Sequence, residues 1–204
     1  MRDTEAILEL SGLEEALRPL RVPFVDLNIA AAGEVPAVLT SLPHLPVAGP
    51  VLAADLVVSM PKLKTHHWAG VTLSMKNLFG TVPGAVFGWP KNPLHWAGIP
   101  ESVVDLWLGI RPAFAIVDGI VGMEGDGPIM GTAVEAGALF FGEDLPSVDA
   151  VATRFMGLKP EGVHFLSLAR DQGGTTSKHR IEVMGDVLAP MSFAVLDHFA
   201  HIRG

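Results

Sequence analysis

DLVVSMPKLKTHHWAGVTLSMKNLFGTVPG, residues 55 to 84, carries an apolar run straight into a cluster of Lys, Thr and His side chains. Leu56, Val57, Val58, Ser59 and Met60 form a nearly continuous apolar stretch with β-branched members, which suits a short strand in a sheet covered on both faces. Pro61 is expected to stop that strand, because proline cannot donate to a ladder. Lys62, Lys64, Thr65, His66 and His67 follow at once, and in open α/β sheets ligands sit outside the carboxyl ends of strands. Four of the six lysines (Lys62, Lys64, Lys76 and Lys91) lie within thirty residues, although the formal net charge is -8. A local basic cluster on an acidic protein favours a small anionic metabolite, a carboxylate or a phosphate, over a long polyanion.

Downstream of the lysines, Val71 to Met75 alternate as a strand would. Thr72 can equally cap a helical turn holding Lys76 and Asn77, so residues 71 to 79 stay open between strand and helix. Residues 80 to 98 are rich in Gly and Pro and read as a long loop carrying Trp89, Lys91, His95 and Trp96, the composition of a lid. Pro100 to Leu108 reads as a helix, 113 to 117 as a second buried strand ending at Asp118, 138 to 141 as a third, and 146 to 155 as a helix bearing Asp149. That acid suits either a helix first turn or the site. Upstream, residues 3 to 18 form an amphipathic helix weakened by Gly12, 22 to 27 a short strand, and 33 to 54 a proline-spaced connection. The end of the chain supplies a helix over 161 to 170, a strand over 180 to 184 and a helix over 193 to 202. Apolar strands alternating with amphipathic helices predict a single three-layer α/β domain over residues 1 to 204, with a mainly parallel or mixed central sheet.

Three strand ends then bring Lys62, Lys64, His66 and His67 together with Asp118, Glu124 and Asp126 and with Glu143 and Asp144. Lys64, His67 and Lys76 are the candidate catalytic groups, since a lysine of lowered pKa or an imidazole can act as a base. Lys62, Thr65, His66, Asn77, Lys91 and His95 are the candidate ligand-binding groups. Asp118, Glu124 and Asp126, with an imidazole beside them, suit a divalent metal as cofactor. The competing reading is an ion-pair network in which these carboxylates neutralise Lys62 and Lys64. No G-x-S-x-G elbow supports a serine nucleophile, and neither net charge nor motif supports nucleic acid.

The run from Met60 to Gly84 resembles the signature of the bacterial and archaeal family catalogued as domain of unknown function 362. KNPLH at 91 to 95, VDGIVGMEGDGPIMG at 117 to 131 and EDLPSVDAVATRFMG at 143 to 157 match the same pattern in the same order, so the resemblance covers about residues 10 to 175. The family has no established activity. Its members usually begin with a further strand and helix region, which implies that this chain either lacks an amino-terminal portion or completes its fold with another chain. Some members carry an iron-sulfur segment, but there are no cysteines here, so this chain cannot hold a cysteine-ligated cluster. An alternative role follows, that of an accessory subunit bound to an iron-sulfur or redox partner chain, or a homo-oligomer. Hydrophobic residues make up 49% of the sequence and charged ones 18%, which points to some surface meeting a partner. The uncharged run from 35 to 54 is interrupted by four prolines and cannot form a membrane span. The acidic amino terminus does not suit a signal peptide. A cytoplasmic location is expected.

Overall fold

In the computed structural model, which describes residues 4–88 and 91–204, the segment around Pro61 is a strand on both sides of the proline. The elements in chain order are α1 (Thr4–Leu10), α2 (Leu13–Leu17), β1 (Ala32–Pro36), β2 (His44–Ala48), α3 (Gly49–Leu52), β3 (Val58–Ser59), β4 (Lys62–His66), β5 (Gly70–Thr72), α4 (Ser74–Asn77), α5 (Gly84–Phe87), α6 (Asn92–Ala97), α7 (Ile99–Ile110), β6 (Phe114–Glu124), β7 (Thr132–Gly142), α8 (Leu145–Phe155) and α9 (His164–Asp171). Short 3-10 turns fill several of the connections.

β3 and β4 both run parallel to β6, and they keep one register: Val58 faces Phe114, Ser59 faces Ala115 and Lys62 faces Asp118. The Asp118 N–H donates to the Pro61 carbonyl at 2.8 Å. Pro61 therefore interrupts the ladder without ending the strand. Side chains alternate across it, with Ser59, Pro61, Leu63 and Thr65 buried and Val58, Met60 and Lys62 exposed, as a period of two requires. This corrects two expectations. The sheet is not covered on both faces here, and the Lys-Thr-His cluster lies on a strand rather than in a loop beyond one.

β6 pairs on its other side with β7 in an antiparallel hairpin, and β5 closes the sheet antiparallel to β4. The result is the mixed central sheet of an α/β domain, and the three predicted strands share it. α8 packs on β6 and β7, while α7 packs on α9 and carries the β1–β2 hairpin on its far side. Sheet, helices and hairpin are the layers. The hairpin approaches closely because Gly109 has no side chain; a Cβ there would lie 2.6 Å from that of Val35.

Other expectations are redrawn. Residues 33 to 54 are a hairpin and a helical turn, because Pro36 and Pro46 fall at strand positions of a two-stranded sheet, where missing donors cost little, Pro43 lies in the connection and Pro50 in the first turn of α3. The glycine-rich run after Asp118 continues β6 to Glu124. The 80 to 98 segment is mostly short helices rather than loop, with Trp89 outside the described residues. Residues 71 to 79 contain both a strand and a helical turn. Gly12, in a left-handed conformation with φ of 73°, divides the first helix in two. Residues 22 to 27 and 181 to 184 are not strands, and the chain ends in a 3-10 turn.

Asp105 on α7, which is fully buried, accepts backbone N–H bonds from Val38, Leu39 and Thr40 and pins the turn between β1 and β2 to the helix. Asp105→Ala leaves three backbone donors without an acceptor and is expected to lower the unfolding free energy by about 3 kcal/mol, measurable as a shift of the urea midpoint.

Candidate functional site

The predicted residues fall into three groups. Lys62 lies on the exposed side of β4, where its Nζ is 2.8 Å from Asp118 Oδ2 with both side chains nearly half exposed. Lys62 holds the Asp118 carboxyl below its ordinary value. Lys64 lies two residues on, and its Nζ is 3.4 Å from the Pro128 carbonyl. Burial, then the neighbouring charge of Lys62, lowers its pKa.

The second group ties the 125 to 128 turn over β4. The Thr65 hydroxyl donates to Gly125 O at 2.9 Å, and the His67 N–H donates to Gly127 O at 2.8 Å. Only glycine fits at 127, where a Cβ would lie 2.1 Å from Thr65 O. This brings Asp126 to His67, with Oδ1 at 3.3 Å from Nδ1. Glu124 instead accepts the Ala194 N–H through Oε2 at 2.8 Å. Asp118, Glu124 and Asp126 thus each meet a different partner. Among the described residues, no three His, Asp or Glu side chains are grouped to hold a metal ion.

The third group gathers His66, Lys76, Lys91 and His95. His66 ends β4 and is 7% exposed. Its Nδ1 accepts the backbone N–H groups of Trp68 and Ala69 at 3.0 and 3.2 Å, so the neutral ring must carry its proton on Nε2. Burial, then Lys76, His67 and His95, pushes its pKa down to about 3. His95 on α6 has the opposite tautomer. Its Nδ1 lies 3.0 Å from the Lys91 carbonyl, which can only accept, so in the neutral ring Nε2 bears the lone pair. Burial lowers the His95 pKa too, against the raising effect of that bond.

Lys91 is buried, and its Nζ donates to Phe79 O at 2.9 Å. Lys76, on α4, has its Nζ 3.9 Å from the centre of the Phe79 ring, a cation–π contact. Burial pushes both ammonium groups down to about 8, and Lys91 adds to the effect on Lys76. Neither lysine forms an ion pair with a carboxylate among the described residues. Aromatic contacts join the group, with ring centres 5.0 Å apart for His66 and His67, 4.6 Å for His67 and Trp68, 5.1 Å for Trp68 and His95, and 5.5 Å for Phe79 and His95.

Asn77 faces elsewhere. Its Nδ2 donates to Ser59 Oγ at 3.1 Å, beside a cavity of about 310 Å³ lined mainly by Leu27, Val51, Val57, Val58 and Leu78. The part of Asp149, which the sequence left between two roles, is to hold α4. Fully buried on α8, it accepts the Ser74 N–H at 2.8 Å, the Ser74 hydroxyl at 2.6 Å and the Met75 N–H at 2.9 Å, and so sets the turn that carries Lys76.

A family model described as Domain of unknown function (DUF362) matches residues 1–154. The thylakoid-associated protein sll1697 of Synechocystis sp. is 33% identical over 159 residues, which are 76% of this chain and 48% of that relative. The chain thus spans about half the length of the curated relative it matches. No solved structure matches it.

Proposed function

The chain belongs to the domain of unknown function 362 family, and from that premise we propose that it binds a small anionic metabolite between Lys76, Lys91, His66 and His95. One observation carries this reading: two ammonium groups are withdrawn from water into one cluster, beside two imidazoles and without a carboxylate partner among the described residues. A buried charge is costly unless paired, and an anion would supply the pairing. Lys62 pairs with Asp118 and Lys64 reaches the Pro128 carbonyl, so neither is needed for it.

Calorimetry with pyruvate, phosphate and small dicarboxylates tests the proposal. Lys76→Met and Lys91→Met are each expected to weaken binding roughly ten- to a hundredfold, whereas Lys159→Met leaves it unchanged. Binding favours the protonated lysines, so the affinity should fall as pH rises through about 8 and binding near pH 8.5 should take up a proton. Affinity that is constant from pH 7 to 9.5 would count against the lysines. Whether binding is metal-assisted is decided by repeating the titration with magnesium, manganese, iron(II) or zinc in wild type and in Asp126→Asn.

The exposed side of the sheet favours a second reading, an accessory subunit that docks on a redox partner. Met60, Leu139 and Phe141 are 67%, 50% and 68% exposed there, more apolar surface than scattered residues would give. Among the described residues, no helix is long and apolar enough to cross a membrane. We place the protein in the cytoplasm, and cell fractionation tests that against the thylakoid association in the relative's name.

A further inference from the structure

We propose that the cluster is a proton-transfer site for a small 2-oxo acid, with His95 Nε2 as the base at C3 and His66 Nε2–H as the donor to the C2 carbonyl oxygen. This rests on the anion-binding reading above and assigns it a reaction. The two tautomers are fixed by different backbone groups. Two N–H donors on Nδ1 leave His66 with an Nε2–H that no described residue accepts, and a carbonyl at Nδ1 leaves His95 with an Nε2 lone pair that no described residue takes up. One cluster thus holds a fixed neutral donor and a fixed neutral acceptor beside two ammonium groups. A buried imidazole that stays neutral can polarise a carbonyl without first giving up its proton.

The chemistry selects the substrate class. A neutral imidazole is too weak a base for the carbon beside a bare carboxylate, so a second, ketonic carbonyl is required, while the carboxylate meets Lys76 and Lys91. His95 Nε2 removes a proton from C3. The C–H electron pair becomes the C2–C3 double bond, and the carbonyl π pair moves to oxygen, where His66 Nε2–H and the Lys76 ammonium receive the charge. Return of a proton from the His95 imidazolium to C3 restores the keto acid, so the cycle needs no oxidant or co-reactant. The charged and titratable neighbours are Lys76, Lys91 and His67, the last oriented by Asp126. The acid limb of the rate should follow His95, below the ordinary imidazole range, and the alkaline limb the two lysines near pH 8.

Exchange of C3 protons of pyruvate and 2-oxobutyrate for deuterium, followed by proton NMR in D2O, tests the proposal. Wild type is expected to exceed heat-denatured protein by about a hundredfold or more. His66→Asn and His95→Asn place an amide oxygen or nitrogen where Nδ1 stood, preserving the backbone bonds while removing Nε2. Both should fold as judged by circular dichroism, and exchange is compared at pyruvate concentrations that saturate each variant. Exchange should fall to the control level in His95→Asn and at least tenfold in His66→Asn. Pyruvate binding without exchange in wild type would overturn the proton-transfer assignment and leave the anion site standing, and absence of both would overturn the two together. Wild-type exchange in either folded variant would also overturn it.

Discussion

Asp149→Ala is expected to lower the unfolding free energy by about 3 to 5 kcal/mol, because it leaves two buried backbone N–H groups and a hydroxyl without their acceptor. Ser74 and Met75 are both fully buried, so water cannot replace the carboxylate at their N–H groups. The loss also reaches the site, because α4 has only four residues and carries Lys76 as its third. A helical turn that short has little stability of its own; the acid from α8 fixes its first turn. Anion binding should therefore fall by at least tenfold in Asp149→Ala even at low temperature, where the variant stays folded. Ser74→Ala removes a single donor and should cost about 1 kcal/mol with little change in affinity. If urea unfolding showed the two variants equally stable, Asp149 would not be the clamp described.

The second large effect is in pH dependence, where His66 and Asp149 oppose one another. His66 titrates near its ordinary 6.5 in the unfolded chain but near 3 when folded, so its contribution is present above about pH 6.5 and is lost as pH falls toward 3. Burial raises Asp149 from 3.8 to about 7, against the lowering bonds from Ser74 and Met75. Its contribution is present below about pH 4 and is lost as pH rises through 7. Each span amounts to roughly 4 to 5 kcal/mol, and across pH 4 to 6.5 the two slopes have opposite signs. Wild type should show only their small difference. Asp149→Asn removes the falling slope, so its stability relative to wild type should rise with pH; His66→Asn should do the reverse. Chemical denaturation at half-unit steps from pH 4 to 7 reads both, and parallel curves for all three proteins would refute the pairing.

Much of this architecture is legible in the chain. The apolar cores of β3, β6 and β7 and the helices α7 and α8 follow from periodicity and from Pro at helix starts, whereas Asp144, read from the sequence as a strand-end member of the site, instead caps α8 by accepting the Ser147 N–H. β4 is harder to see, because Pro61 reads as a terminator when considered alone; only the alternation running through it shows that the strand continues. The glycines from 119 to 127 read as loop, yet several sit where β6 slips register against β4 and β7. Of the candidate site, the residue types are legible and the grouping is not. Lys62 stands on β4 and Lys76 on α4, and Lys64 and His66 have the same strand parity; what sets His66 apart is the turn after it, whose Trp68 and Ala69 N–H groups bond its ring. The role of Asp149 depends on a contact 75 residues away in sequence, which no local pattern announces.

The strand that passes through Pro61 imposes a counting rule on the molecule. From residue 58 to residue 65 the odd positions face the core and the even positions face outward, and the missing donor at Pro61 leaves that parity intact. A single residue inserted or deleted between Ser59 and Leu63 would exchange the two sets, turning Lys62 and Lys64 inward and Leu63 and Thr65 to the surface. A change of two residues would preserve the facing. Length in this segment is therefore constrained modulo two, a stricter condition than the chemical identity of Met60 or Pro61, and it determines which side of the sheet Lys62, Leu63, Lys64 and Thr65 reach.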